Sequence, residues 1–163
     1  MNYYKRNTEL ILASAGFIIV IGYYLIFGMD DKIFLGLIGT VATLYFGSIK
    51  YRIENDKLFK ELFQEFNSRY DNRFNDLINE LKYDNGRELN KKERNLIIDY
   101  LNLCSEEYLW RSKNRIPKNV WDSWKAGIKE NLDIKQVRDI YENEISSING
   151  RNSFYGLVEE LKK

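Results

Sequence analysis

The sequence predicts an all-α protein in three parts: an N-terminal transmembrane helical hairpin at residues 1–49, a long amphipathic connecting helix with its turn at 50–86, and a small cytosolic helical domain at 87–163. Three observations indicate this class. Two long apolar runs lie near the start of the chain, no alternating strand pattern of useful length occurs, and Pro117 is the single proline among 163 residues. Helices are therefore hardly interrupted anywhere in the sequence.

The two apolar runs, residues 10–28 and 33–49, are each long enough to cross a membrane. At about 1.5 Å rise per residue they give helices of roughly 28 and 26 Å, against about 30 Å of hydrocarbon core. Neither run contains an acidic or basic side chain, whereas a helix in a soluble core rarely stays apolar on every face for so long. Because only residues 29–32 connect the runs, they are predicted to lie antiparallel as a hairpin.

A cleaved signal peptide and a pair of buried helices in a soluble domain are the alternative interpretations of these runs. Lys5 and Arg6 would suit a signal peptide, but no small-x-small cleavage site follows Gly28 and a second apolar run begins almost at once. The sequence therefore favours two membrane spans.

The basic residues beside the runs predict how the hairpin is oriented. They lie on the outer flanks, at Lys5, Arg6, Lys50, Arg52 and Lys57, while the connector has one lysine beside two aspartates. Because basic flanks stay on the cytoplasmic side, both termini are predicted to lie in the cytoplasm. A composition rich in Asn, Lys and Ile suggests an AT-rich bacterial genome, and hence the bacterial inner membrane.

Small residues recur at helical spacing along the second span. Gly39, Thr43 and Gly47 follow one another at intervals of four residues, and Gly36 with Thr40 forms the adjoining row. This small-xxx-small pattern lets helix backbones approach closely, either within the hairpin or between subunits of a homo-oligomer. The sequence leaves both forms of packing open.

The connecting segment reads as one helix that leaves the second span. No helix breaker occurs from Gly47 to Leu81, and apolar residues recur every three or four positions from Phe59 onwards. The turn signal Tyr-Asp-Asn-Gly at 83–86 ends this helix. The apolar stripe must be buried by a parallel copy of itself or by the domain that follows. Its many aromatic residues favour loose or higher-order packing over a leucine zipper.

Local signals divide the rest of the chain into helices. The first of these helices is expected to stop near Lys113, and Asn149-Gly150 is expected to close a later one. The signals for helix starts are a capping box at Asn90 and Glu93, Pro117 in a first turn, a second capping pair at Asp133 and Gln136, and a final cap at Ser153.

The composition argues against most catalytic chemistry. Histidine is absent, and Cys104 is the single cysteine, so neither a histidine-based nor a thiolate metal site is expected. No phosphate-binding glycine loop occurs, and the net charge of +1 gives no general attraction to nucleic acid. The acidic pairs 106–107, 142–144 and 159–160 are interpreted as solvated helix faces. The sequence therefore predicts a protein that is not an enzyme, with no cofactor and no metal.

A cluster of aromatic and basic residues surrounds the proline turn. Such residues can stack a base and hold a phosphate, which would suit a nucleotide ligand, or a cytosolic protein could bind there. A solvated basic loop over a tryptophan core is the competing interpretation. The cluster consists of Trp110, Arg111, Lys113, Arg115, Lys118, Trp121 and Trp124.

The stretch IDYLNLCSEEYLWRSKNRIPKNVWDSWKAGI at 98–128, with its IPxxVWxxW pattern, resembles a segment of small uncharacterised bacterial membrane proteins that have two spans and a cytosolic helical domain. Their layout is similar to that of membrane effectors of abortive-infection and retron-type antiphage systems. The resemblance implies a membrane-acting role in antiviral defence and carries over no catalytic or ligand residue.

Three hypotheses of function follow from these patterns. In the first, a non-enzymatic inner-membrane protein binds a partner or signal through its cytosolic domain, and its hairpin self-associates and damages the membrane during an antiviral response. In the second, the protein is a passive membrane anchor that recruits a cytosolic complex. In the third, it senses a nucleotide signal through the basic turn at 111–118.

Overall fold

The computed structural model describes residues 3–163 apart from Asn85, with side chains from Thr8 onward, and it confirms the all-α class. The described residues form eight helices and no strand. The helices are α1 Tyr3–Phe27, α2 Asp31–Arg73, α3 Asn75–Tyr83, α4 Lys91–Ser112, α5 Lys118–Leu132, α6 Lys135–Glu144, α7 Ile148–Ser153 and α8 Leu157–Leu161.

The chain divides into two compact units, a hairpin unit at 1–57 and a helical unit at 58–163. The division falls within α2, whereas the sequence analysis placed its boundaries after residues 49 and 86. The second part of α2 therefore groups with the helical unit, and each unit has its own internal packing.

A short turn joins the two helices of the hairpin unit. Gly28 ends α1 with a φ of +68°, a left-handed conformation that glycine adopts without steric cost. Asp30 precedes α2, and its Oδ1 accepts hydrogen bonds from the backbone N–H groups of Lys32 at 2.9 Å and Ile33 at 3.4 Å. The Tyr24 ring stacks on Phe34 with the centroids 4.3 Å apart. The predicted turn thus has a glycine stop followed by a side-chain cap.

Both helices of the hairpin are long and apolar enough to span a membrane, over Thr8–Phe27 and within Asp31–Arg73. None of the most apolar 18-residue window of either helix is buried in the structure. Leu25 and Ile26, for example, are each 74% exposed. The core of a soluble domain would bury such side chains.

The amphipathic stripe of the connecting segment is buried in the core of the helical unit. The domain that follows in the sequence is therefore the partner of most of the stripe, while Phe63 stays 40% exposed and packing between copies remains a prediction. Aromatic side chains of α4 and α5 pack against the stripe, with Tyr100 beside Phe74 and Trp124 beside Phe66. Its buried members are Leu62, Phe66, Phe74, Leu77, Ile78 and Leu81.

The predicted single helix is interrupted at Phe74, between α2 and α3. Phe74 has φ −117° and ψ −31°, yet its N–H still donates to the Tyr70 carbonyl at 2.9 Å. No glycine or proline marks this position. The Phe74 ring is 1% exposed and lies 6.0 Å from the Tyr100 ring, so the break occurs at a residue buried in the core.

The predicted capping box at the start of α4 is confirmed. Asn90 Oδ1 accepts from the N–H of Lys92 at 2.9 Å and of Glu93 at 3.0 Å, while Glu93 Oε2 accepts from the N–H of Asn90 at 2.9 Å. The hydrogen bonds that Arg87 and the Asn90 backbone donate lower the pKa of Glu93. Lys113 follows the last residue of α4, as expected.

The second predicted capping pair is wrong. Asp133 lies at the C-terminal end of α5, and α6 begins at Lys135 after Ile134, which provides no side-chain cap. Gln136 instead donates hydrogen bonds to the backbone carbonyls of Asp84 at 3.3 Å and Arg87 at 3.1 Å. Its tertiary partners outweigh the local capping pattern. Pro117 directly precedes α5, one residue earlier than its predicted place in the first turn.

The predicted helix ends near the C-terminus are also wrong. Asn149 and Gly150 lie inside α7, which is capped by Ser147 through a 3.0 Å hydrogen bond from the Gly150 N–H. Ser153 is the last residue of that helix, and α8 begins after Gly156, whose φ is +91°. The pattern predicted that Ser153 starts a helix and that Gly150 follows the end of one, whereas Ser153 ends α7 and Gly150 lies inside it.

We expect Asn90→Ala to lower the free energy of unfolding by about 1 kcal/mol, because the substitution removes the side-chain acceptor of the capping box. Chemical denaturation of the full-length chain in detergent measures the change. Asn95→Ala is the control, since Asn95 is an exposed residue inside α4 and alanine favours a helix interior. Equal loss of stability in both variants would contradict a specific role for the cap.

Candidate functional site

The predicted small-residue face lies on an exposed side of α2. Gly36, Gly39, Thr40, Thr43 and Gly47 are all exposed, and a Cβ atom added at any of the three glycines would meet nothing within 4 Å. The Thr40 hydroxyl donates to the Gly36 carbonyl at 2.9 Å, and the Thr43 hydroxyl donates to the Gly39 carbonyl at 2.8 Å. The face is therefore flat, and its hydroxyl donors are satisfied within the helix.

A different surface makes the contact inside the hairpin. A Cβ atom at Gly16 would lie 3.3 Å from Cγ1 of Val41, so α1 approaches α2 closely at that point. Arg52 Nη1 also pairs with Glu9 Oε2 at 2.7 Å across the two helices. The five predicted interface residues do not make this contact, and packing between subunits stays a prediction.

Two tryptophans of the predicted aromatic and basic cluster, Trp121 and Trp124, pack into the core and not beside the basic residues of the turn. Trp121 is 2% exposed, with its ring 5.3 Å from that of Tyr108. Trp124 is half-buried, and its ring stacks on Phe63 at 5.8 Å and meets Phe66 edge-on at 6.0 Å. Both rings thus contribute to the core of the helical unit.

The basic residues of the cluster are engaged near the turn. Arg111 Nη1 donates to the Ile116 carbonyl at 2.9 Å, and Lys118 Nζ pairs with Asp122 at 2.6 Å. Lys113 Nζ lies 5.1 Å from the centre of the Trp110 ring, which is the one aromatic and basic contact of this kind found in the described part of the cluster. Arg115 is half-buried.

Glu160 joins α8 to α5 and gives Trp121 a structural partner. Its carboxylate accepts from Lys125 at 3.0 Å, from Lys163 at 3.1 Å and from Trp121 Nε1 at 3.4 Å. Partial burial raises the pKa of Glu160, but these hydrogen bonds outweigh it and lower the pKa to about 2. The interpretation of this residue as part of a solvated face is therefore wrong.

A cavity of about 230 Å³, with a mostly apolar lining, opens between α2, α4 and α5 in the helical unit. It combines aromatic walls with amide, hydroxyl, thiol and carboxyl groups, a mixture typical of small-molecule sites. Its lining residues are Asn67, Tyr70, Tyr100, Cys104, Glu107, Ser123, Trp124, Gly127, Ile128 and Asn131.

Glu107 is the buried acid of this cavity. The residue is 8% exposed and lines the cavity, and its side chain has no hydrogen bond to the part of the chain that the structure describes. Burial raises the pKa of Glu107 to about 8, although the charge of Arg69 acts in the opposite direction. Arg69 is itself held by Glu106 at 2.6 Å and by Glu65 at 3.7 Å. The carboxyl group is therefore mostly protonated at neutral pH and lacks a dedicated partner.

Two further groups of the cavity, the Tyr100 hydroxyl and the Cys104 thiol, stay neutral. Asn131 Nδ2 donates a 2.9 Å hydrogen bond to the Tyr100 hydroxyl. Burial raises the pKa of Tyr100 and of the Cys104 thiol well above their ordinary values. The cysteine is therefore not an activated nucleophile, and the cavity offers recognition groups around one titratable acid.

Sequence reasoning missed this cavity because it interpreted Glu106 and Glu107 together as solvated. The Glu106 side chain is 41% exposed, whereas Glu107 is buried. The spacing could have predicted the burial of Glu107. Tyr100, Cys104 and Glu107 follow at intervals of four and three and therefore share one side of α4. An acid in register with an apolar stripe is a candidate for burial.

Among the described residues, no group of three or more acidic or cysteine side chains is arranged to hold a metal ion. Comparison with known proteins found no matching family, no matching curated protein and no matching solved structure.

We expect the free energy of unfolding to fall as the pH rises from about 4.5 to about 8, because the folded state holds the Glu107 proton more tightly than the unfolded chain does. Glu107→Gln keeps the shape and removes the ionisation, so it should be more stable than the original chain at pH 8.5 by about 5 kcal/mol. The advantage should shrink towards pH 5. Thermal unfolding followed by circular dichroism measures both differences.

Glu142→Gln removes one exposed carboxylate of α6 and serves as the matched control. Its unfolding curve should follow that of the original chain at every pH. A Glu107→Gln profile that also runs parallel to the original would show that Glu107 does not titrate in this range.

Proposed function

We propose that this protein is a non-enzymatic membrane protein whose two-span hairpin self-associates and whose cytoplasmic helical unit receives a signal or partner. The observation that carries the proposal is the exposed small-residue face of α2, which the hairpin itself leaves without a packing partner.

The proposal that the hairpin spans a membrane rests on exposure as well as composition. The apolar windows of α1 and α2 are unburied, and no charged side chain lies between Glu9 and Asp30 or between Lys32 and Lys50. A cleaved leader would account for α1 alone, whereas α2 continues as one helix to Arg73. Basic residues on the outer flanks favour cytoplasmic termini.

Self-association follows from the cost of the glycines. Each glycine in a helix interior costs about 1 kcal/mol relative to alanine, and lipid tails gain nothing from a flat surface. A second helix does gain, because its backbone can approach closely where Gly36, Gly39 and Gly47 have no side chain. A second copy of the hairpin brings an identical face, which makes a symmetric contact the simplest assembly.

The proposed mechanism is a shift between dispersed and clustered hairpins. A ligand shifts this equilibrium only by the difference between its affinities for the two states, so the signal must bind the clustered state more tightly. Clustered hairpins would then disturb the bilayer. The resemblance of residues 98–128 supports an antiphage setting for this activity.

We expect Gly39→Leu and Gly47→Leu each to weaken self-association in bilayers by about tenfold or more, because a leucine side chain holds the two helix backbones apart. A tenfold change corresponds to a loss of about 1.4 kcal/mol of association free energy. Energy transfer between labelled copies in vesicles measures association. A membrane-potential dye in expressing cells measures the effect on the bilayer, and depolarisation should disappear in both variants while expression persists.

Ala15→Leu is the control, because Ala15 is an exposed small residue of α1 outside the proposed face. It should associate and depolarise as the original chain does. Depolarisation that survives both glycine substitutions would reject the proposed interface. An original chain that associates without changing the potential would favour a passive anchor.

A further inference from the structure

We propose that the cavity between α2, α4 and α5 binds a small organic cation, whose ammonium or guanidinium group pairs with the Glu107 carboxylate beside the rings of Tyr70 and Trp124. This assigns a ligand class to the signal-receiving unit and in that sense rests on the proposed function.

The first argument is the unmet electrostatic demand of Glu107. A carboxylate removed from water costs several kcal/mol unless a cation or several hydrogen bonds compensate it. Glu107 is 8% exposed and has no hydrogen-bond partner within the described chain. Arg69, whose positive charge acts on Glu107, already contacts Glu106 at 2.6 Å and Glu65 at 3.7 Å. A ligand cation would supply the missing charge.

The charges around the acid favour a cation over an anion. Arg69 and Glu65 approach from α2, and Glu106 lies on α4 itself, where Tyr100 and Cys104 remain neutral. The residues that α5 contributes to the lining carry no charge, and α6 to α8 contribute none of the lining residues. With Glu107 ionised, three carboxylates surround one guanidinium. The local field therefore attracts positive charge.

The remaining polar groups match a donor-rich ligand. Asn67 Nδ2 donates to the Phe63 carbonyl at 2.7 Å, and Asn131 Nδ2 donates to the Tyr100 hydroxyl at 2.9 Å. Each amide is thereby oriented by its own donor, and its carbonyl oxygen is the group left to accept. Ammonium and guanidinium groups carry several N–H donors and no acceptor. The faces of Tyr70 and Trp124 add cation–π attraction.

The dimensions of the cavity restrict the ligand to a small one. Its volume of about 230 Å³ is below the roughly 300–1,000 Å³ of sites for drug-sized molecules. Ser123 and Gly127 are exposed residues of the lining, so the cavity opens beside them on α5. A Cβ atom at Gly127 would meet nothing within 4 Å, and a side chain there would narrow this opening.

The pKa of Glu107 separates a cation from a neutral ligand. Because this pKa is about 8, roughly nine-tenths of the side chains are protonated at pH 7, and a cation must displace that proton. Binding of a cation should release about 0.9 proton at pH 7, and its affinity should rise about tenfold between pH 6 and 7 before levelling above pH 8. A neutral ligand that bonds the protonated acid would show neither effect.

Titration calorimetry of the full-length protein in detergent tests the proposal. The probes are butylamine and butylguanidine, and 1-butanol is the uncharged control of similar shape. Titrations in two buffers with different ionisation enthalpies report the number of protons released. We expect both cations to bind and to release protons, while 1-butanol does not bind.

Three variants locate the binding. Glu107→Gln removes the charge and should lower the affinity for both cations at least tenfold at pH 8. Gly127→Leu keeps Glu107 and should also lower it, because the leucine obstructs the opening. Glu142→Gln, which removes an exposed carboxylate of α6, should bind as the original chain does. Circular dichroism at the titration temperature verifies that each variant is folded.

The proposal is overturned by any of three results: no heat of binding with either cation, equal affinity of Glu107→Gln and the original chain, or an affinity that does not change between pH 6 and 8. None of these measurements depends on membrane spanning or self-association. A failure here would leave the association experiment on Gly39 and Gly47 intact, and a failure there would leave the cavity unaffected.

Discussion

The helical unit depends on helices late in the chain removing from water the aromatic side chains of α2 and of Phe74, which follows it. Phe66 and Phe74 are 2% and 1% exposed, and burying a side chain of this size contributes about 1.5–3 kcal/mol. Trp124 of α5 meets Phe66 edge-on, and Tyr100 of α4 lies beside Phe74. The same packing forms the cavity, because α2, α4 and α5 together line it and α4 carries Glu107.

Two glutamates show how strongly tertiary surroundings decide the chemistry of one residue type. Glu107 has a pKa of about 8, since burial is met by no hydrogen bond, whereas Glu160 has a pKa of about 2, since two lysines and an indole N–H outweigh its burial. Glu160 therefore links α8 to α5 through hydrogen bonds with Trp121 and Lys125. Glu107 is the group whose ionisation a ligand could control, and strongly shifted acids in cavities are candidates for function.

Helix α2 contributes residues to both proposals. Its exposed Gly and Thr residues lie at 36–47, and its Asn67 and Tyr70 line the cavity. A ligand in the cavity would affect clustering only if its affinity differed between the dispersed and clustered states. Coupling of this kind is reciprocal, so clustering would change the affinity for the ligand by the same factor.

The sequence by itself determined the helix class, the two apolar helices, the turn between them and the capping box at Asn90, because these depend on chain length, hydropathy and contacts within a few residues. Tertiary structure decided which surface covers the aromatic stripe, where Phe74 interrupts the helix, and that Glu107 is buried while Glu106 is not. Helical periodicity states which residues share a side of a helix, but the partner of that side depends on contacts distant in sequence. Asp133 and Ser153 have acceptable local patterns and yet do not cap helices. Gln136, the expected partner of Asp133, bonds to the distant carbonyls of Asp84 and Arg87, and α8 begins only after Gly156.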